Sequence, residues 1–347
     1  MPRTPIRVHV TRGDQRESEH TVHGVVAGPA TGTIEFGDAD HQTFWRSAMK
    51  PYQILPLLED GVGEAYALTP EDVAVACGSH GGMPMHVAQV LELLERAGLG
   101  ENGIDALVCG SHPPFSAEAR QNVLCAGQSF SPLHNNCSGK HAAMLALAAH
   151  HGWPLTGYTE PGHPVQTRIR EGLAHWLEVD ADDRLWARDG CSVPTPYVSL
   201  RQMAQAYARL MSASAAGDVA PAAVVGAMTG CPELTSSPGR IPLEIMTATG
   251  GRLLAKEGAE GVLCIGDTGG GWGLALKAVD GAARGTGPAA VEIMAAHDLL
   301  SAGELAALEE TRRPAVLNWQ ASRVGGVEAE LEAAPSDAEG RSGNAGP

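Results

Sequence analysis

The 347-residue chain is poor in aromatic residues, which make up 4% of it, and it has no surplus of positive charge, its net charge being −16. With few aromatic side chains and abundant Ala and Gly, the cores are expected to be aliphatic and the elements closely packed. A nucleic-acid-binding surface needs a basic patch, so the acidic balance argues against a nucleic-acid partner. The charge says little about a small substrate.

Long apolar runs and paired cysteines are also missing. No stretch of about 18 apolar residues occurs, so no membrane-spanning helix is predicted, and residues 1–9 lack the apolar core of a signal peptide. The seven cysteines, an odd number, are scattered without the spacing of a disulfide scaffold. We therefore expect reduced thiols in a cytoplasmic protein that has no membrane partner.

Hydrophobic periodicity predicts strands near both ends of the chain and helices between them. The predicted strands share apolar alternation or short apolar runs and cover residues 6–10, 21–27, 31–36, 72–77, 105–109, 258–265 and 272–279. Two hairpins are expected, one around Gly28-Pro29-Ala30 and one around residues 267–271. The predicted helices show helical spacing of apolar residues and cover residues 86–96, 142–150, 165–177, 200–211, 288–300 and 303–310.

This order of elements predicts an α/β chain of the α+β type. A mainly antiparallel sheet is expected from the N- and C-terminal strands, packed against a helical middle. Residues 1–320 are expected to form one domain. From about Ala321 the composition turns to Gly, Ala, Glu and Ser, which predicts a disordered tail over residues 321–347.

The first stretch with chemical promise is Arg46-Ser47-Ala48-Met49-Lys50. Residues three apart on a helical turn point the same way, so the Lys50 amine is expected to reach the Ser47 hydroxyl. A neutral lysine can take the proton of an attacking serine, but the ordinary lysine pKa is roughly 10.4, so burial or a second cation must lower it. Pro51 places the motif at the start of a helix. A lone Ser-x-x-Lys is more often a helix cap beside a solvated lysine.

Three further clusters also consist of small and polar residues at the end of an apolar element. They are Ser79-His80, Asn136-Cys137 with Lys140, and Asp189-Gly190-Cys191. Each also has a plain explanation, since turn residues, surface imidazoles and buried thiols are common. Two cysteines 54 positions apart are a weak zinc signal without paired Cys-x-x-Cys units, and lysine must lose its proton to bind a metal. A Cys137 nucleophile at a helix start is a further option.

Together these clusters make the chain resemble the Rhizobium etli-type L-asparaginases, also called asparaginase II. The matching stretches occur in the family's order and are residues 46–51, 77–80, 109–113, 136–141, 189–196 and 256–261. The similarity covers roughly residues 5–285. It implies a fold like that of the serine-dependent β-lactamases, a homodimer, and an amidohydrolase that converts L-asparagine to L-aspartate and ammonia.

The resemblance also assigns roles to residues. It implies two catalytic serine–lysine pairs, Ser47 with Lys50 and Ser79 with Lys256, with Lys277 as the alternative partner of Ser79. It implies a zinc ion bound by Cys137, Lys140 and Cys191. The positions lining the substrate site are Arg46, His80, Asn136 and Asp189.

The mechanism expected from this resemblance is acyl transfer. Ser47 by preference attacks the side-chain amide, and paired lysines lower each other's pKa by repulsion. Arg46 is expected to bind the substrate α-carboxylate and Asp189 its α-amine, with backbone amides of the Gly78 and Gly190 turns as oxyanion donors.

Two other functions remain open. A penicillin-recognising hydrolase would show Ser-x-Asn followed by Lys-Thr-Gly later in the chain, and this pair of motifs is not evident. A non-catalytic regulator that binds an amino acid or zinc would keep the pocket without releasing ammonia.

Overall fold

Strands from both ends of the chain form one antiparallel sheet in the computed structural model, which describes residues 3–29, 31–180 and 185–331. Its strand order is β10-β11-β1-β2-β9-β8-β7, with β3 paired to β2, while β4-β6-β5 form a small second sheet. The strands are β1 Ile6–Arg12, β2 Gln15–Gly28, β3 Gly32–Phe36, β4 Gln42–Phe44, β5 Trp186–Arg188, β6 Pro194–Ser199, β7 Leu253–Gly258, β8 Val262–Asp267, β9 Gly273–Ala278, β10 Ala315–Leu317 and β11 Arg323–Glu330.

Helices occupy most of the chain between the two groups of strands. They are α1 Lys50–Glu59, α2 Val62–Ala65, α3 Pro70–Cys77, α4 Pro84–Arg96, α5 Gly100–Ala106, α6 Ala117–Cys125, α7 Ser138–His151, α8 Pro164–Leu177, α9 Leu200–Ala216, α10 Val219–Gly230, α11 Pro232–Thr235, α12 Ile241–Ala248, α13 Thr286–Ala296, α14 Ala302–Ala307 and α15 Glu309–Arg312. Short 3₁₀ turns cover Arg46–Met49, Pro132–His134 and Ala283–Gly285.

The sheet lies between two helical layers, and the alternation of its strands assigns side chains to each. Leu254, Cys264 and Ala275 belong to the larger core, which includes α1, α3, α7, α9 and α10. Ala255 and Leu263 belong to the smaller core on the other face, with α12 and α13. Successive strand residues point to opposite faces, so even-numbered residues of β7 face the larger helical layer.

The expected α+β architecture, with an antiparallel sheet built from both ends of the chain, is confirmed. The β2–β3 and β8–β9 hairpins are present as predicted, although Ala30 of the first turn lies outside the described residues. The long predicted helices are present as α4, α7, α8, α9 and α13.

Two predicted strands are wrong. Residues 72–77 belong to helix α3, because Thr69 and Asp72 form a capping box and Pro70 occupies the first turn. This local signal outweighs the short apolar run. Residues 105–109 do not form a strand either: α5 ends at Ala106, and Leu107–Cys109 continue as a loop.

The prediction of a disordered tail is wrong for the part of it that the structure describes. Arg323–Glu330 form strand β11, which pairs with both β1 and β10. Val327 is buried against the small core, and the ladder needs only backbone groups, so a Gly-rich composition does not prevent it. Gly325 is required there, since a Cβ would lie 1.9 Å from the carbonyl oxygen of Thr11. Residues 332–347 lie outside the described residues.

Within the described ranges, no single helix has the length and apolar character needed to cross a membrane. Helices α9 and α10 pass that test only when taken together, with a bend of 103° between them.

Candidate active site

Three distant segments bring one hydroxyl and two amines together. Lys50 begins helix α1, Ser79 follows the end of α3, and Lys256 lies in the sheet-edge strand β7. All three are buried, with 0%, 3% and 1% exposure, respectively. Buried lysines are rare unless their amines have partners, so this convergence points to chemistry.

Strand geometry explains how Lys256 reaches the site. As an even-numbered residue of β7 it faces the larger helical layer, opposite Cys264 of β8. Two residues later, Gly258 lets β7 approach the 3₁₀ turn, because a Cβ there would lie 2.9 Å from the carbonyl oxygen of Trp45. The strand is thereby held beside Arg46 and Ser47.

Hydrogen bonds around Ser79 define the protonation of both lysines. The amine of Lys50 donates to the carbonyl oxygens of Gly78 and Asn136 (3.0 Å for the latter) and lies 3.2 Å from Ser79 Oγ. Three acceptors match the three protons of an ammonium. Lys256 Nζ lies 2.6 Å from Ser79 Oγ and 3.0 Å from the Glu257 carbonyl oxygen. We infer that Lys256 is neutral and accepts the Ser79 proton.

The electrostatics agree with this assignment. Burial lowers the pKa of Lys256 to about 7, with help from the charges of Lys50 and Arg240 and against the carboxylate of Glu257. The pKa of Lys50 is also lowered, mainly by burial and also by Lys140, while Cys137 and Cys191 oppose the shift. Lys256 can therefore serve as a base near neutral pH.

Ser47 lies three residues before Lys50 in the chain. It is half-buried in the 3₁₀ turn, and its hydroxyl makes no hydrogen bond to another described residue. The predicted contact between Lys50 and Ser47 is replaced by the one between Lys50 and Ser79. Pro51 lies in the first turn of α1, as predicted.

Arg46 and Asp189 bind each other. Arg46 Nε donates to Asp189 Oδ1 at 2.7 Å, which leaves the two terminal nitrogens of the guanidinium without a partner among the described residues. Although burial raises the pKa of Asp189, Lys140 and Arg46 outweigh it, so the net shift is downward and the group is a carboxylate. Arg46 has a φ of 55°, a strained conformation for a residue with a side chain.

His80 and Asn136 each make hydrogen bonds to neighbouring residues. His80 Nδ1 accepts from the backbone N–H of Gly82, so Nε2 donates to Ser138 Oγ at 3.0 Å. Burial, followed by His86 and Lys50, keeps the pKa of His80 well below its usual value. The neutral ring therefore has a structural hydrogen bond at each nitrogen, while Asn136 contributes its carbonyl oxygen to Lys50.

The predicted metal residues also converge. Cys137 and Cys191 are hydrogen-bonded to each other, and Lys140 Nζ lies 3.0 Å from Cys191 Sγ. The hydrogen bond from Cys137 lowers the pKa of Cys191, and the same bond, followed by burial, raises the pKa of Cys137 to about 12. Lys50 contacts Cys137 as well, so it joins this cluster to Ser79.

These donors fit zinc, which prefers sulfur and nitrogen ligands. Cys191 carries a negative charge that the Lys140 ammonium balances, and a bound cation would take over that role. The part of the chain that the structure describes holds no group of three His, Cys, Asp or Glu side chains arranged for a metal. A zinc site therefore depends on Lys140 as its third ligand, after loss of a proton.

Three other sequence-based candidates have other partners. Lys277 donates to the backbone carbonyls of Glu260 and Ala278, so it does not serve as the partner of Ser79. The N–H groups of Gly78 and Gly190 already bind Val75 O and Asp189 Oδ1. They are not free as oxyanion donors.

The ion pair between Arg240 and Glu257 was missed by sequence reasoning. Arg240 Nε lies 2.5 Å from Glu257 Oε1, and its guanidinium carbon lies 4.9 Å from the Phe115 ring centroid. The adjacency of Glu257 to Lys256 was the only available signal.

Comparison with known proteins gives one strong match. The family model of L-asparaginase II matches residues 8–329, nearly the whole chain. A search of curated proteins finds no match.

Solved structures give weak likenesses. A structure of Mglu is 14% identical with a TM-score of 0.41, and the match covers 80% of this chain and 60% of the Mglu chain. A putative β-lactamase from Bacteroides dorei is 13% identical (TM-score 0.38; 79% and 85% covered). A β-lactamase from Mycobacterium bovis is 14% identical (TM-score 0.35; 84% and 95% covered).

The architecture described above rests on the strands and helices themselves rather than on these likenesses. With the family match spanning residues 8–329, the chain belongs to the L-asparaginase II family of amidohydrolases.

Proposed function

We propose that this protein hydrolyses L-asparagine to L-aspartate and ammonia by serine–lysine acyl transfer. The observation that carries the proposal is the Ser79 hydroxyl lying between two buried amines, at 2.6 Å from Lys256 and 3.2 Å from Lys50. One amine is charged and the other neutral. Such a pair can move a proton at neutral pH without an external base.

Ser47 is the proposed nucleophile, because it is the accessible hydroxyl of the group. Ser79 Oγ is already hydrogen-bonded to both amines, whereas the hydroxyl of the half-buried Ser47 has no hydrogen-bond partner among the described residues. As Ser47 attacks, Lys50 gives a proton to Ser79 and takes the Ser47 proton in exchange, and Ser79 gives its own proton to Lys256. This step requires the Ser47 hydroxyl, which makes no hydrogen bond to a described residue in the free protein, to come within reach of Lys50. Lys50 remains charged throughout, and Lys256 ends as an ammonium.

The second half of the acylation step returns that proton. The carbon–nitrogen bond of the substrate amide breaks, and the Lys256 proton travels through Ser79 to the departing ammonia. Water then hydrolyses the aspartyl ester on Ser47. The backbone N–H of Ser47, in the first turn of the 3₁₀ segment and without a partner among the described residues, is a donor for the oxyanion.

Arg46 and Asp189 are proposed to hold the α-groups of the substrate. The free terminal nitrogens of Arg46 are suited to a carboxylate, and Asp189 to an ammonium. The α-groups of an amino acid would thus bind to an ion pair that is already present in the free protein. The half-buried Asn136 and the buried His80 are proposed to shape the pocket wall.

A zinc ion bound by Cys137, Lys140 and Cys191 is also proposed. When bound, it would supply a fixed positive charge that holds the two thiolates together. These residues then anchor the 189–193 loop to α7, which positions Asp189. We expect Cys191→Ala to lower the zinc content of purified protein measured by mass spectrometry, and Cys125→Ala, at an exposed cysteine, to leave it unchanged.

The proposed function is tested by measuring ammonia release from L-asparagine and L-glutamine, with nitrocefin hydrolysis as a parallel assay. Turnover of asparagine without nitrocefin cleavage supports the proposal. Tight binding of asparagine without ammonia would favour the regulator, and nitrocefin cleavage the penicillin-recognising hydrolase. Acid quenching followed by peptide mapping locates the aspartyl ester. An ester on Ser79 would make Ser79 the nucleophile and Lys256 its base.

A homodimer remains a proposal from the family resemblance, and a cytoplasmic location remains a proposal from the scattered cysteines and the sequence pattern. Sedimentation of the purified protein tests the first.

A further inference from the structure

Two adjacent serines near Ser79 have buried hydroxyls without partners. Ser236 and Ser237 are each 2% exposed, and neither Oγ atom has a hydrogen-bond partner. Buried hydroxyls are nearly always satisfied in folded proteins, so two in succession call for an explanation. Both belong to the segment that follows helix α11.

This segment lies directly beside the catalytic turn. The backbone N–H of Ser79 donates to the carbonyl oxygen of Thr235 at 2.9 Å, so residues 235–237 run alongside residues 79–81. The hydroxyl of Ser237 lies over Gly81, where a Cβ would be 2.4 Å from Oγ. The glycine therefore leaves room for this hydroxyl, with Ser116 on the other side at 3.2 Å from the same Cβ position.

We propose that the hydroxyls of Ser236 and Ser237 form the subsite for the carboxamide group of the substrate, on the Ser79 side from which ammonia departs. The inference rests on the proposed function. A carboxamide has both an acceptor oxygen and donor hydrogens, and a hydroxyl both donates and accepts, so each can satisfy the other. Arg46 and Asp189 are proposed to hold the charged α-groups, so the carboxamide is the end of asparagine that meets Ser47 with its carbon and the two serines with its oxygen and nitrogen.

The same hydroxyls would also be satisfied by a trapped water, and the two explanations differ in their consequences. A water would remain when the substrate binds, so removing a hydroxyl would leave substrate affinity unchanged. A substrate subsite is unsatisfied only in the free protein. Removing a hydroxyl would then spare the free protein and weaken binding of asparagine.

The experiment compares wild type with Ser237→Ala and with Ser236→Ala/Ser237→Ala. We expect KM for L-asparagine to rise roughly tenfold for the single variant and further for the double variant, the range typical of a lost hydrogen bond in a binding site. The Tm of the free protein should stay level or rise. Ser212→Ala, at an exposed serine of α9, is the matched control.

A second pair of variants guards against misfolding. Gly81→Ala places a methyl against the Ser237 hydroxyl and should raise KM and lower Tm. Gly81→Ala/Ser237→Ala gives the methyl room, so Tm should recover while KM stays high. A KM within twofold of wild type in Ser237→Ala and the double serine variant overturns the inference. A wild-type protein that releases no ammonia from asparagine overturns the proposed function and the subsite with it.

Discussion

The Ser79 hydroxyl has one proton and two amine neighbours, and this imbalance decides the charges around it. It can donate to only one amine, and Lys50 already has three acceptors. Since burial lowers the pKa of Lys256 to about 7, we infer that the neutral Lys256 accepts the Ser79 proton, with one of its own hydrogens directed to the Glu257 carbonyl. A single hydroxyl thus couples the protonation of two residues that are 206 positions apart in the sequence.

Loss of the Ser79 hydroxyl should interrupt the proton path without removing the nucleophile. We expect Ser79→Ala to lower kcat by about 10²–10⁴-fold, the usual contribution of proton transfer, with KM for asparagine little changed. Steady-state ammonia release measures both constants. Ser47→Ala should lose activity and also the covalent aspartyl ester. Near-normal turnover in Ser79→Ala would exclude this serine from the chemistry.

The pH dependence of catalysis should follow Lys256. The base must be neutral, and its pKa is lowered to about 7 by burial and by Lys50 and Arg240. We therefore expect kcat/KM to be low below pH 6 and to rise through a midpoint near 7. Rates between pH 5 and 9 measure this curve.

Changing the charge next to Lys256 should move that midpoint. Arg240→Gln removes a cation that lowers the pKa of Lys256, so the midpoint should shift upward. Arg313→Gln, at an exposed arginine of the chain, is the control and should leave it in place. A midpoint that is unchanged in Arg240→Gln would contradict the assignment of Lys256 as the base.

At the scale of the element, the 3₁₀ turn Arg46–Met49 contains two candidate site residues, and its first residue has a strained backbone conformation. A left-handed residue with a side chain costs roughly 1–2 kcal/mol, and glycine avoids that cost but loses more chain entropy on folding, roughly 0.4–1 kcal/mol. In this backbone conformation the Arg46 side chain reaches Asp189, and Ser47 follows Arg46 directly in the chain.

Two substitutions separate strain from chemistry. We expect Arg46→Gly to be more stable to denaturant than Arg46→Ala by up to about 1.6 kcal/mol, the difference of the two costs. Both should lose asparagine affinity equally, since both lack the guanidinium. In helix α9, Arg209→Gly should instead be less stable than Arg209→Ala by about 1 kcal/mol. Equal stabilities at position 46 would mean that the turn is not strained.

A helix or strand could be predicted from the sequence only where residues close together in the chain determine it. Helix α3 could have been predicted from the Thr69–Asp72 capping box, which is a local signal, but the short apolar run led to the prediction of a strand. Strand β7 was missed because its sequence has no clear alternation. The choice between Lys256 and Lys277 depends on which face of the sheet each reaches, and a shift of one residue in register would reverse it. No local pattern carries that information.

For the molecule as a whole, the fold class was predictable, but the contacts among the candidate site residues were not. Family motifs indicated Ser47, Ser79 and Lys256 as candidates, and the structure brings Ser79 and Lys256 into contact. That Lys50 binds Ser79 rather than Ser47, and that Ser236 and Ser237 are unsatisfied, depends on the packing of α1, α3 and α11. Such distances are set by tertiary contacts that span most of the chain.

The pairing of β11 with β1 and β10 gives a prediction at this scale. Val327 is 5% exposed and pairs with Val10 across the ladder. We expect Val327→Asp to lower the free energy of unfolding by about 2–4 kcal/mol, because it buries a carboxyl group in an apolar core. Denaturant titration measures it, and Glu328→Gln at the neighbouring exposed position is the control. Unchanged stability of Val327→Asp would show that β11 is dispensable.

The order of strands in the main sheet also bears on how the protein is made. The hairpin of β1 and β2 leaves the ribosome long before its two flanking partners, β9 and β11, which are encoded some 250 and 300 residues later. Throughout translation both sides of that hairpin present unpaired backbone groups that other nascent chains can bind. Chaperone capacity during synthesis, rather than the stability of the finished protein, should therefore limit its soluble yield.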